Sequence, residues 1–201
     1  MSRPRKIAIG ADHGGFELKA VLVAHLQSAG YQVNDVGTSS REAVDYPVFA
    51  RAVAEAVSAG SADVGIMIDG AGIGSCMAAN KVPGVRAALA YDLSSARNSR
   101  EHNNANVLTL GAGLIGAGLA KQIVDVWLAT ECTETRHLDR VAMFGDAASD
   151  LSLSDQDIER VVGRLHEMLG PLSAAEPSGA AVGDDPDAAR EFVRLGATGL
   201  T

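Results

Sequence analysis

The chain is poor in aromatic residues, in cysteine and in positive charge, and each shortage closes off a class of function. Phe, Trp and Tyr make up only 4% of its 201 residues, too few for the stacking platforms that hold single-stranded nucleic acid. Lys and Arg number 17 against 25 Asp and Glu, a formal net charge of −8, so a broad basic surface for nucleic acid is not expected. The two cysteines, Cys76 and Cys132, show no metal-ligand spacing; a soluble, reduced, cytoplasmic protein is the expectation. No apolar run approaches the roughly 18 to 20 residues that span a bilayer. The basic start, Met1-Ser2-Arg3-Pro4-Arg5-Lys6, soon reaches Asp12 and His13 and lacks the apolar core of a signal peptide.

What the chain does have is 47% hydrophobic residues, enough for one medium domain with a true core and something left over. Short apolar segments at 6–10, 31–37, 62–68, 86–91 and 107–111 read as strands. Segments at 16–29, 46–59, from about 75, 92–102 and 117–130 carry helical spacing, and Gly30 and Gly60 stop the first two. Strict β-α alternation implies an α/β fold: a Rossmann-like three-layer αβα arrangement on a five-stranded parallel sheet. Such sheets bind ligands at the carboxyl ends of their strands. The residues expected there are 10–13, 37–40, 69–75, 91–92 and 111–113.

One of these stretches is unusual. Asp69 stands between an apolar strand and Gly70-Ala71-Gly72-Ile73-Gly74. Ser75 occupies the place of the third glycine of a dinucleotide-binding loop, and no Lys-Ser/Thr follows at P-loop spacing. Successive N–H groups leading into a helix N-terminus nevertheless form a concave donor site. Its anion could be a stable phosphate or a transient oxyanion; the glycines could equally serve only to turn the chain. Three further polar clusters accompany it: Asp12-His13-Gly14-Gly15; Arg100-Glu101-His102-Asn103-Asn104 with Asn106; and Arg136-His137 with Arg140, whose guanidiniums share one helical face. Together they favour a small anionic substrate.

The stretches G-A-D-H-G-G-F-E-L-K (10–19), A-A-N-K-V-P-G-V-R (78–86), R-E-H-N-N-A-N (100–106) and T-R-H-L-D-R (135–140) resemble ribose-5-phosphate isomerase B and its galactose-6-phosphate isomerase relatives. The likeness runs from about residue 5 to residue 145. It implies an aldose–ketose isomerase of sugar phosphates that works through a cis-enediolate with no metal or cofactor, as a homodimer with shared sites, or as a tetramer. By that resemblance His102 and Asp12 open the sugar ring and Asn103 holds hydroxyls. The amides of Gly70, Ala71, Gly72 and Gly74 receive the enediolate charge, and His13, Arg136 and Arg140 bind phosphate.

Three departures from the family stand out. Relatives place the proton-abstracting base as a Cys just before the glycine loop or a Glu just after it; here those positions are Asp69 and Ser75. Asp69 is then the candidate base, because a carboxylate is ionised at neutral pH unless strongly desolvated; the alternative is that it caps the loop amides. Ala71 replaces a hydroxyl-bearing residue, and Gly113 replaces an Arg. A lost guanidinium contact is worth roughly 1.5–3 kcal/mol, which favours a different sugar phosphate from ribose 5-phosphate, or an anion seated elsewhere.

The isomerase-like domain is assigned to 1–148, an amphipathic helical tail to 149–170, and a linker with a short terminal helix to 171–201. The tail opens with a Ser154/Asp157 cap and aligns Ile158, Val161, Val162, Leu165, Met168 and Leu169 on one stripe. It resembles the encapsulation peptides of microcompartment cargo, which implies docking on shell or cargo proteins; packing on its own domain or dimer mate is the alternative.

Overall fold

In this computed structural model the described residues are 6–145, with Arg160, Gly163 and Arg164 beyond them. The chain divides into two units, Met1–Ser152 and Leu153–Thr201. In the second unit the three described residues are helical and exposed; the rest of the expected 149–170 helix, the linker and the terminal helix lie outside the described residues.

The first unit alternates strand and helix as far as the last strand, which two helices follow. Its elements are β1 (Lys6–Ala11), α1 (Phe16–Ser28), β2 (Gln32–Asp35), α2 (Tyr46–Ser58), β3 (Val64–Asp69), α3 (Ile73–Ala79), β4 (Ala87–Leu89), α4 (Leu93–Glu101), β5 (Val107–Gly111), α5 (Ala117–Ala129) and α6 (Thr135–Ala142). The five strands form one parallel sheet in the order β2-β1-β3-β5-β4.

Side-chain alternation along the strands builds two cores. Ile7, Ile9, Val64, Ile66, Ile68, Leu108 and Leu110 pack on one face with Leu18, Leu22 and Leu26 of α1 and Ile123, Val124 and Trp127 of α5. Ala8, Met67 and Val107 face the other way, against Ala50, Val53 and Ala54 of α2 and Ala79 of α3. Burial on both faces is why β3 reads as a continuous apolar run instead of alternating. Fully burying each large aliphatic side chain contributes about 1.5–3 kcal/mol, so the central strands anchor the structure.

The edge strand β2 is held differently. Lys19 of α1 is 4% exposed; its Nζ donates to both oxygens of Asp35 at 2.7 Å and to the Thr38 carbonyl at 2.8 Å. A buried ammonium is tolerated when all its protons are matched, and this one ties β2 and the loop after it to the domain.

Chain direction diverges at β1 and β3. β1 connects outward to β2, whereas the connections beyond β3 lead to the opposite edge, and a crevice opens at such a switch point. Ala11 pairs with Ile68 in register, which brings Asp12, the next residue, level with Asp69.

Candidate active site

The crevice is built from two loops. After β1, Asp12 N donates to the Ile68 carbonyl at 3.2 Å, and Asp12 Oδ1 accepts from Gly15 N at 3.1 Å. Asp12 is buried at 6% exposure. A Cβ on Gly14 would stand 3.3 Å from Asp12 Oδ1 and 3.4 Å from Gly70 N, so the Asp12 carboxylate and the glycine loop meet across Gly14. His13 Nδ1 accepts from Val44 N at 3.2 Å and lies 4.0 Å from Asp12 Oδ2. With Nδ1 an acceptor, the neutral ring carries its proton on Nε2, a donor suited to an anion.

After β3, Asp69 is 5% exposed and Ser75 fully buried. Asp69 Oδ1 accepts from Ala71 N at 2.8 Å and from Gly72 N. Its Oδ2 accepts from Ser75 N at 3.2 Å and from the Ser75 hydroxyl. The carboxylate therefore serves as internal cap of the loop and of α3. Gly72 takes φ +77° as the N-cap of α3, a conformation open to glycine; this starts the helix at Ile73, ahead of the expected position near Ser75. The N–H groups of Gly70, Ile73 and Gly74 are not among those that Asp69 engages.

Two further residues, Gly113 and Ala71, border this loop. Gly113 is exposed, with its N–H donating to the Gly70 carbonyl at 3.0 Å. Ala71 carries no hydroxyl, and its carbonyl faces the Tyr91 hydroxyl at 3.5 Å. Cys76 turns to β4, its Sγ 3.4 Å from the Ala87 carbonyl. Burial pushes the thiol of this half-buried residue up from its ordinary range, against smaller opposing contacts from Thr109, Leu89 and Asn80.

The other expected residues form a second group on α4 and α6. His102 caps the end of α4 and stacks on His137, ring centroids 4.2 Å apart and planes 17° from parallel. Arg136 and Arg140 flank His137 on α6 and are exposed. Asn103 is exposed beside His102. The contacts of the first group run among β1, β3 and α3; those of the second run between α4 and α6.

Arg100, grouped with these by sequence, is turned elsewhere. Its Nη1 donates to the Ala105 carbonyl at 2.5 Å, its Nε to the Thr130 carbonyl at 3.2 Å, and its guanidinium lies 4.9 Å from the Trp127 ring. Arg100 locks the loop that follows His102, and Arg86 Nε does the same through the Asn104 carbonyl at 2.9 Å. His137 is the residue that sequence reading left without a role: burial to 5% exposure and the stack on His102 come from the approach of α6 to α4, which no local pattern announces. Among the described residues no helix is long and apolar enough to cross a membrane.

Known proteins with this arrangement are numerous. The family model described as Ribose/Galactose Isomerase matches residues 7–144. Ribose-5-phosphate isomerase B of Escherichia coli (strain K12) is 49% identical over 137 residues, 68% of this chain and 92% of that protein. Galactose-6-phosphate isomerase subunit LacB of Clostridium acetobutylicum is 41% identical over 130 residues, 65% of this chain and 75% of that one. Among solved structures, Clostridium thermocellum ribose-5-phosphate isomerase B gives a TM-score of 0.71 at 50% identity, covering 73% of this chain and 99% of that chain. Ribose-5-phosphate isomerase B of Mycoplasma genitalium with bound ribulose-5-phosphate gives 0.67 at 40% identity, covering 69% and 93%. A sheet that opens between β1 and β3, the loops it positions there, and a match across nearly the whole first unit agree: the chain belongs to the ribose/galactose isomerase family and is an isomerase.

Proposed function

We propose that the chain interconverts an aldose phosphate and its ketose isomer, either ribose 5-phosphate and ribulose 5-phosphate or a related four- to six-carbon sugar phosphate, through a cis-enediolate. The observation that carries this reading is the placement of the Asp12 carboxylate and the Gly70 backbone nitrogen on either side of Gly14, 3.3 and 3.4 Å from its Cβ position. It sets a proton-handling group beside a donor loop, the pairing that enediolate chemistry requires. His102 and Asp12 open the ring, and Asn103 holds hydroxyls. His13 Nε2, Arg136 and Arg140 bind the phosphate.

Asp69 then takes the proton from the carbon beside the carbonyl. The C–H electron pair becomes the enediolate double bond, and the carbonyl oxygen takes up negative charge facing the loop amides of Gly70 to Gly74. The proton returns to the neighbouring carbon and a hydroxyl proton passes between the two oxygens, so nothing is oxidised overall. His102 and Asn103 act across a homodimer, each subunit completing its partner's site. The tail at 149–170 docks on other proteins, of which a microcompartment shell or its cargo is the proposed example.

A second reading rests on the hydrogen bonds that Asp69 accepts. A carboxylate offers about four lone-pair sites, and two loop amides, Ser75 N and the Ser75 hydroxyl engage Asp69. On that reading Asp69 is a loop cap with no part in proton transfer, and the chain is a sugar-phosphate-binding or assembly protein on an isomerase fold.

Proton NMR in D2O separates the two. Wild-type protein with ribose 5-phosphate, then a panel of sugar phosphates, is expected to place deuterium on the carbon beside the carbonyl. Asp69→Asn should slow that exchange about 100-fold or more. Exchange unchanged in Asp69→Asn would make Asp69 the cap and place the base elsewhere. No exchange with any sugar phosphate would leave the binding reading.

A further inference from the structure

His137 lies on the same helical turn as two arginines but does not share their exposed face. It is 5% exposed and lies flat against His102, centroids 4.2 Å apart. His102 is gripped at a second place: Asn98 Nδ2 lies 3.1 Å from its Nδ1, and the backbone N–H of His102 donates to the Asn98 carbonyl at 2.9 Å. An amide nitrogen only donates, so Nδ1 of His102 accepts and the neutral ring carries its proton on Nε2.

We propose that His137 is a positioning residue for His102: as a buried, flat platform it fixes the plane of the His102 ring, while Asn98 fixes its tautomer, so that Nε2–H is the single proton His102 presents. This assignment rests on the role given to His102 above, and it adds a residue and a reason. A ring attached by one rotatable side chain at a helix end would otherwise sample several orientations, and proton transfer to a sugar oxygen demands one of them.

The pair also disfavours a double charge. Two stacked imidazoliums repel at this distance, and the surroundings are mixed: Arg136 and Arg140 on α6, Glu134 at its N-cap, and Arg97 and Glu101 lining the small cavity beside His102 on α4. Loss of solvation, then the charge of His102 and those of the two arginines, hold His137 below the ordinary histidine range.

The test is long-range proton–nitrogen NMR of the histidine rings across a pH series, with sugar-phosphate isomerisation measured in parallel. The proteins compared are wild type, His137→Phe, His137→Ala and Asn98→Ala. Wild type and His137→Phe are expected to show His102 with its proton on Nε2. His137→Ala and Asn98→Ala should show averaged tautomers, with kcat lowered about tenfold or more and KM changed less than twofold. Rescue of kcat by Phe but not by Ala identifies the flat ring as the active feature. Asn98 is exposed, so its variant reports even if His137→Ala fails to fold. An unchanged His102 tautomer and titration in both Ala variants, or in Asn98→Ala alone where His137→Ala does not fold, overturns the proposal. Absence of isomerisation in wild type with the spectral changes present overturns the catalytic reading of the site and leaves the pairing standing.

Discussion

Ser75 meets Asp69 twice on one oxygen: its N–H lies 3.2 Å from Asp69 Oδ2, and its hydroxyl donates to the same atom. The two residues that flank the glycine loop are thus joined to each other. Whatever role Asp69 has in chemistry, the pair is a structural unit that shapes the glycine loop. Ser75→Ala removes a buried hydrogen bond to a carboxylate and should cost about 1.5–3 kcal/mol, read from urea unfolding. A loss below about 0.5 kcal/mol would mean that the backbone bonds alone hold the loop.

Lys19 makes a separate prediction. Lys19→Met deletes the donor shared by Asp35 and the Thr38 carbonyl. The Asp35 side chain is 42% exposed and can rehydrate, so the loss should be about 2 kcal/mol, short of the roughly 3–5 kcal/mol for breaking a fully buried pair. Amide exchange should accelerate in β2 and the loop after it while β3 stays protected. Uniform acceleration would argue against a local tether.

Acid should weaken the fold through His137. Its folded value lies below the ordinary 6.5, so between the two the unfolded chain binds the extra proton. The stabilising contribution is complete above the ordinary value and declines as pH falls below it. Urea midpoints followed from neutral pH down to about pH 5 should drop for wild type and drop less for His137→Phe, which keeps a flat ring and cannot titrate. Parallel curves would assign the acid sensitivity to other groups.

One substitution should act with opposite sign at two glycines. A Cβ on Gly15 would stand 2.4 Å from the Ile68 carbonyl oxygen, and strand backbone cannot yield, so Gly15→Ala should cost about 3 kcal/mol. Gly118, in α5, has nothing within 4 Å of its Cβ position; Gly118→Ala should be neutral or stabilising by up to about 1 kcal/mol. Melting temperatures of the two variants check both, and a harmless Gly15→Ala would deny that the N-terminus of α1 packs closely on the end of β3.

The strands were legible because burial on both faces of a parallel sheet leaves continuous apolar runs, as in Val64–Asp69, and helices such as α1 and α2 ended where Gly30 and Gly60 follow. The start of α3 was legible only to within two residues, since what places it is the left-handed Gly72 held by Asp69. Asp12, His13 and Asp69 could be assigned to one crevice because strand ends share an edge of the sheet. The roles of Arg100 and His137 could not be read the same way. A guanidinium between two polar neighbours looks available until Trp127 and two carbonyls, from Ala105 and Thr130, are seen around it. A histidine between two arginines has no partner that the sequence names until α6 lays it against His102.

The sequence by itself determined the parallel α/β sheet, the edge on which the site would form and the likeness to sugar-phosphate isomerases, because period, punctuation and motif order are local properties of a chain. Only the tertiary structure decided which polar groups are already engaged with protein partners, and that Asp69 closes on Ser75 while His102 rests on His137. Those outcomes depend on contacts between segments far apart in the chain, where packing and the need to satisfy buried polar atoms override what neighbouring residues suggest.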